Sequence, residues 1–195
     1  MPSSEVLGRA VVRNLDLSNA KAVVEYGPGT GAFTTYVLQA LDHDADFLAI
    51  EINPRLAEMF RIQHPGVRLF QDSVANARAI CTKAGIDQVD CIVSGLPWAS
   101  FPESRQVEFL DEMMRVLKPG GQFVTFAYVH GLFLPPGRRF SKILPKYFSS
   151  ISKSPVIWKN IPPAFVYRCI RKSEQIGDRE ELAKGDSTLT TIYRR

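Results

Sequence analysis

Residues 22–31 read Ala22-Val23-Val24-Glu25-Tyr26-Gly27-Pro28-Gly29-Thr30-Gly31, and this stretch decides the fold. Ala22, Val23 and Val24 form an apolar run with two β-branched members, the start of a buried strand. Three glycines at alternate positions then allow positive φ and leave bare backbone for a ligand to lie against. Residues 33–41 follow with helical spacing. Strand, glycine turn and helix open a doubly wound α/β sheet, where ligands bind outside the carboxyl ends of the strands.

The pattern repeats outward. A second strand, 47–50, ends in Glu51-Ile52, and Asn53-Pro54 supplies an N-cap and first-turn proline for a helix with Leu56, Met59 and Phe60 inward. A third strand, 67–70, closes on Gln71-Asp72-Ser73, and a helix over 74–84 follows. The fourth, 89–93, ends in Ser94-Gly95-Leu96-Pro97-Trp98. Val107, Leu110, Met114 and Leu117 recur at helical spacing before the turn Lys118-Pro119-Gly120-Gly121 and a fifth strand over 122–129. Upstream, Ser3 and Ser4 cap a short helix with the apolar stripe Val6, Leu7, Ala10 and Val11. Downstream, 138–148 reads as a basic helix that Pro145 interrupts, and 151–158 with 164–170 as an antiparallel pair. The expectation is a Rossmann-like α/β fold, a mostly parallel seven-stranded sheet with helices on both faces. Residues 1–172 would form one domain and 173–195 a polar C-terminal tail.

Composition agrees. The 195 residues (21.8 kDa) suit one α/β domain. With 45% hydrophobic and 23% charged residues, wholesale disorder is excluded. No apolar run approaches the ~20 residues of a membrane span, and none at the N-terminus reads as a secretory leader. Three cysteines in no metal-ligand spacing predict a reducing, cytoplasmic setting with no disulfide framework and no metal. The net charge of +4 hides a gradient: residues 1–130 carry 11 basic and 15 acidic side chains, residues 131–195 carry 13 and 5. Between Gly131 and Lys172 lie nine basic residues and no acid, interleaved with aromatics such as Phe133, Tyr147 and Trp158. Such a stretch is either a solvated face or one that meets a polyanion, a phosphate backbone or an anionic membrane.

The glycine turn has two neighbours that narrow its ligand. Its spacing is G-x-G-x-G rather than the dinucleotide G-x-G-x-x-G. Glu25 precedes the first glycine, where it would repel a pyrophosphate and attract a cation. S-adenosylmethionine, with an ammonium, a sulfonium and no phosphate, fits. Glu51, 20 residues after Gly31, stands where a carboxylate accepts both ribose hydroxyls, and Asp72 where one accepts from the adenine amine. The candidate cofactor set is Glu25, Tyr26, Gly27, Gly29, Gly31, Glu51, Ile52, Asp72, Ser73 and Ser94. Glu51 and Asp72 also admit a plainer role as strand-end helix caps.

These motifs, with the later V-L-K-P-G-G, resemble the class I S-adenosylmethionine-dependent methyltransferases over about residues 20–130. Ser94-Gly95-Leu96-Pro97-Trp98 is similar to the N-L-P-Y motif of adenine-N6 methyltransferases, including the rRNA adenine dimethylases, where an Asn accepts from the exocyclic amine and an aromatic stacks on the base. Gly95 occupies the Asn position here, so that acceptor is missing. With the basic, aromatic C-terminal third, the motif looks more like the bacterial phospholipid N-methyltransferases, which convert phosphatidylethanolamine stepwise to phosphatidylcholine. This second resemblance runs to about Lys172. Those enzymes often begin with an additional amphipathic helix, whereas this chain begins almost at the core, which assigns its membrane contact to residues 131–172.

What the resemblance implies is in-line attack of a neutral amine on the cofactor's methyl carbon. His130, beyond the fifth strand, is the candidate base, since His43 and His64 fall in loops on the opposite side. Trp98 and Tyr128 are candidates to hold cationic groups against their rings. Leu132, Phe133 and Leu134 form an apolar tip ahead of Arg138, Arg139 and Lys142, the candidate phosphate and membrane contacts. The expected partners are an anionic membrane surface and a phospholipid substrate, with nucleic acid the weaker alternative; the expected state is a monomer, cytoplasmic and peripherally membrane-associated. An adenine methyltransferase and a non-catalytic module keeping the cofactor fold are the competing readings.

Overall fold

A computed structural model describes residues 5–173. Its elements run α1 (Glu5–Val12), β1 (Ala22–Tyr26), α2 (Thr34–Ala40), β2 (Asp46–Ile50), α3 (Pro54–Gln63), β3 (Arg68–Phe70), α4 (Ala77–Lys83), β4 (Val89–Ser94), α5 (Glu103–Met114), β5 (Leu117–Tyr128), α6 (Pro135–Tyr147), β6 (Phe148–Lys153) and β7 (Ala164–Arg171). The seven strands lie in the order β3-β2-β1-β4-β5-β7-β6, parallel from β3 to β5, with β7 antiparallel to both β5 and β6. The expected seven-stranded, mostly parallel sheet with helices on both faces is therefore present.

Alternation along the strands divides the core. Val24, Tyr26, Leu48, Ile50, Ile92 and Phe123 point to the face that α4, α5 and α6 cover. Val23, Phe47, Cys91, Val93 and Val124 point to the face that α1 and α2 cover. Every residue of β1 is buried, as two-sided coverage requires. Glu25 falls on the α2 face, opposite Tyr26, and meets Thr34 there. The Arg168 guanidinium of β7 donates to the carbonyls of Ala10 and Arg13, closing the end of α1 over more than 150 residues of sequence.

Several expectations need correction. In α3 Phe60 is buried as expected, with Ala57 beside it, while Met59 is 45% exposed and Leu56 only half-buried. Leu117 belongs to β5 rather than to the preceding helix, because Lys118-Pro119-Gly120-Gly121 continues the strand beside a register shift between Val89 and Cys91. The helix expected over 74–84 opens with a separate 3₁₀ turn, Val74–Asn76. The basic helix begins at Pro135 and passes Pro145 without a break; Pro145 forfeits one i−4 hydrogen bond, and the helix ends two residues later. The late pair is shifted to β6 and β7, because the apolar residues Val156, Ile157 and Trp158 lie in the segment joining them. The expected tail, apart from Ser173, lies outside the described residues.

Candidate active site

The glycine turn stands at the carboxyl edge of β1 with φ of 62° at Gly27, 60° at Gly29 and 86° at Gly31, values that a side chain would strain. A Cβ on Gly29 would face open space. Glu51 fixes this turn: Oε2 accepts from the Gly29 amide at 3.1 Å and Oε1 from the Asn53 amide at 2.8 Å. Its carboxylate is 5% exposed. Asn53 in turn caps α3, its side chain accepting from the Arg55 and Leu56 amides.

Beside the turn lies a cavity of about 240 Å³, into which Gly27, Glu51, Ile52, Asp72 and Ser73 converge from three strand ends. The Asp72 Oδ1 accepts from the Ser73 amide and from Asn76 Nδ2 at 2.7 and 2.8 Å, leaving Oδ2 without a donor among the described residues. Ser73 also caps the following turn through the Ala75 amide. Leu96, Phe101 and Arg105 also line it; Phe101 and Arg105 do not stand out in the sequence, since they follow the Ser94–Trp98 motif rather than belong to it.

Glu25 is fully buried. Its Oε2 accepts from Thr34 Oγ1 at 2.6 Å, and its Oε1 has no partner. Burial raises its pKa to about 7 despite the opposing Thr34 hydrogen bond. A buried carboxylate with one orphaned oxygen behind a glycine turn is chemically suited to a cationic ligand, and the two carboxylates of the adjoining cavity suit a ribose and an amine. The donor set thus fits S-adenosylmethionine.

A second cavity, about 250 Å³, brings together Trp98, Tyr128 and His130 with Leu134, Phe140 and Tyr167. The Tyr128 and His130 rings stack 5.5 Å apart at 9°. His130 and Leu134 are exposed at its rim.

Three predicted residues are placed differently. The Tyr26 side chain is wholly buried on the α4–α6 face, because alternation sets it opposite Glu25, and its ring does not meet a ligand at the turn. Trp98 is 2% exposed and stacks on Phe140 at 4.7 Å, so it forms the floor of the second cavity rather than a free aromatic face. The Ser94 hydroxyl is buried and accepts from Trp98 Nε1 and the Leu96 amide, tying the loop to β4. Gln106 was not visible as a site residue. It is buried, and its Nε2 donates to the carbonyls of Trp98, Phe101 and Pro136, joining α5 to that loop and to α6. His64 departs from its expected place: its imidazole packs against Gly31 and on Phe60, rather than standing clear of the glycine turn.

Gly95 explains the departure from N-L-P-Y. A Cβ there would strike the Gly27 carbonyl, so any side chain would displace the glycine turn. The basic stretch also resolves into parts. Arg168 directs Nε and Nη2, and Arg171 its Nη1, to backbone carbonyls, and Lys153 lies over the Phe165 and Tyr167 rings. Arg138 donates to the Leu132 carbonyl, and Arg139 faces Glu103 of α5 at 3.9 Å. Phe133 is 71% exposed and Leu134 47%. Among the described residues, Asp42, His43 and Asp44 are the cluster whose ligand atoms could share an ion, and all three are exposed. No described helix is long and apolar enough to cross a membrane.

Fold and site together define a class I S-adenosylmethionine-dependent methyltransferase. Residues 23–121 match the family described as the methyltransferase domain, and the chain belongs to it. An ornithine lipid N-methyltransferase of Singulisphaera acidiphila is 32% identical over 171 residues, covering 86% of this chain and 85% of that protein. A ribosomal RNA small subunit methyltransferase A of Chlorobaculum tepidum is 39% identical over 64 residues, 33% of this chain and 22% of that protein. The O-methyltransferase of Bacillus cereus in complex with SAH superposes with a TM-score of 0.67 at 13% identity, covering 86% of this chain and 82% of that chain. That likeness concerns the fold.

Proposed function

We propose that this methyltransferase transfers methyl groups to the amine of a membrane lipid. The observation that carries the reading is the second cavity. It is apolar, holds Tyr128 and His130, and its rim residue Leu134 continues into the exposed Phe133 and the basic face of α6. A headgroup amine can reach such a site while its acyl chains stay in the bilayer. The similarity over 86% of the chain to a protein named for ornithine lipid supports a lipid amine in general. Phosphatidylethanolamine and its methylated derivatives are the proposed substrates from the motif resemblance, and ornithine lipid is the comparison substrate.

Bound S-adenosylmethionine would supply an electrophilic methyl group. In the proposed assignment Glu51 holds the ribose hydroxyls, Asp72 the adenine amine, and Glu25 the ammonium. His130 accepts the proton that the substrate ammonium must lose before its lone pair can attack, a role typically worth ~10²–10⁴-fold. Tyr128 positions that imidazole by stacking. The chemistry supplied would be an in-line displacement that exchanges the methyl's carbon–sulfur bond for a carbon–nitrogen bond, with the sulfonium's positive charge passing to the amine. Arg138, Arg139 and Lys142 would meet lipid phosphates, each contributing roughly 1 kcal/mol near an anionic surface. The protein would work as a monomer on the cytoplasmic leaflet. The adenine reading is disfavoured by the Gly95 packing, which leaves no room for the amide acceptor.

A labelled methyl-transfer assay tests this, offering vesicles with phosphatidylethanolamine, vesicles with ornithine lipid, and RNA in parallel. Label in either lipid extract supports the proposal. Label in RNA alone overturns it.

A further inference from the structure

A groove separate from both cavities runs between α1 and the segment joining β6 to β7. One end is cationic. Arg13, Lys159 and Arg168 line it with Asn14, and neither Arg13 nor Lys159 has an ion-pair partner among the described residues. The acid beside it, Glu5, is engaged by Arg9 at 2.9 Å. Arg168 is held by the α1 carbonyls, so it cannot swing away from Arg13. Burial and the neighbouring Arg13 charge both lower its pKa. The other end is apolar: Val6 is 43% exposed and Trp158 72%, with Ile161 beyond them at 73%.

The groove's apolar end lies toward the catalytic edge, since Ile157 bridges Ala164 opposite Tyr128, while its cationic end lies farther down the sheet, where Arg168 pairs with Val124. The segment returns to the sheet where the Val129 amide donates to the Pro163 carbonyl, next to Tyr128 and His130. Four exposed apolar side chains, Phe133, Leu134, Trp158 and Ile161, belong to the two segments that flank that edge.

We propose that this groove binds the anionic headgroup of a membrane lipid, with Arg13, Lys159 and Arg168 around the phosphate and Trp158 and Val6 against the acyl chains. A cationic floor beside an exposed tryptophan matches an acidic amphiphile, which a purely polar anion would use only in half. The site rests on the lipid-surface reading above but adds a second anchor, on the face opposite α6. Two anchors would fix the orientation of the edge against the bilayer, where one would leave it free to tilt.

The chain's two tryptophans make the test direct, since Trp98 is buried and Trp158 exposed. Full-length protein is titrated with vesicles of phosphatidylcholine alone and with added phosphatidylglycerol. Trp158 emission is expected to shift to the blue with the anionic vesicles, not with neutral ones, and not in Trp158→Phe. Arg13→Ser combined with Lys159→Ser should weaken vesicle affinity about thirty-fold, the equivalent of ~1 kcal/mol for each charge. That variant should still methylate a soluble short-chain aminolipid. An unshifted Trp158, or vesicle affinity unchanged in the double variant, overturns the groove. Inorganic phosphate that shifts the emission and displaces vesicles overturns the lipid assignment in favour of a free-phosphate site. Failure of the wild type on every aminolipid would refute the proposed reaction while leaving the emission result standing.

Discussion

Glu25 carries the most informative prediction, because its environment sets opposite demands on stability and on binding. Burial lifts its carboxyl from the ordinary 4.5 to about 7. At 1.36 kcal/mol for each pH unit, ionising it in the ligand-free fold costs about 3 kcal/mol more than in the unfolded chain. The folded pKa lies above the unfolded one, so between pH 4.5 and 7 the folded state keeps a proton that the unfolded state has released. Stability from this group is therefore greatest below pH 4.5, declines as pH rises through that window, and is lowest above pH 7. Glu25→Gln keeps an acceptor for Thr34 and removes the charge. It should stabilise the ligand-free protein at pH 8 by up to ~3 kcal/mol in urea denaturation, with almost no gain at pH 4.5. A cationic ligand needs the ionised form. Between pH 8 and pH 6 the ionised fraction falls about tenfold, and S-adenosylmethionine affinity measured by calorimetry should fall with it, accompanied by proton release near pH 7. Equal affinities at pH 6 and pH 8, together with no stabilisation from Glu25→Gln, would refute the reasoning.

The other predictions concern separate parts of the molecule. Glu51→Ala should weaken S-adenosylmethionine binding at least tenfold by calorimetry, since charge-assisted hydrogen bonds of roughly 1.5–3 kcal/mol each are lost before desolvation is counted. Gly95→Asn should lower stability by at least ~1–3 kcal/mol through collision with the Gly27 carbonyl, and should create no N6-methyladenine in an RNA assay. Trp98→Ala should cost ~3–5 kcal/mol in urea denaturation, as expected of a buried aromatic stacked on Phe140. Replacing Arg138, Arg139 and Lys142 together with Ser should reduce sedimentation with anionic vesicles while leaving cofactor affinity unchanged. Raising salt should imitate it, because the Debye length shrinks from ~10 Å at 0.1 M to ~3 Å at 1 M.

The first three strands were legible because each carries a chemical marker at its end: Glu25 and the glycines at β1, Glu51 after β2, Asp72 after β3. Local periodicity and turn chemistry determine these elements, so reading along the chain finds them. The facing of Tyr26 was also available, since strand alternation cannot turn Glu25 and Tyr26 to the same side. What the sequence hid depends on distant partners. Gln106 looks like one polar residue on a helix, and its three carbonyl partners come from elements before and after it. Arg168 reads as a member of a basic run, yet it is committed to α1 at the other end of the chain. The imidazole of His64 reaches Gly31 only because α3 packs alongside that turn. Pro145 warns of a broken helix unless the helix is known to end two residues later.

The position of β7 has a consequence for the ribosome. It is the last described strand to be made, yet it lies inside the sheet, between β5 and β6. Until it arrives, β5 presents a row of unpaired amides and carbonyls, and the final carbonyls of α1 lack the Arg168 donor. Synthesis at ~5–20 residues per second takes roughly 2–9 s to pass from the end of β5 to the end of β7. During that interval a nascent chain carries its glycine turn and most of its core beside an open, apolar edge. Holding by a chaperone, or slow pairing with another nascent chain, would compete for β5 in those seconds.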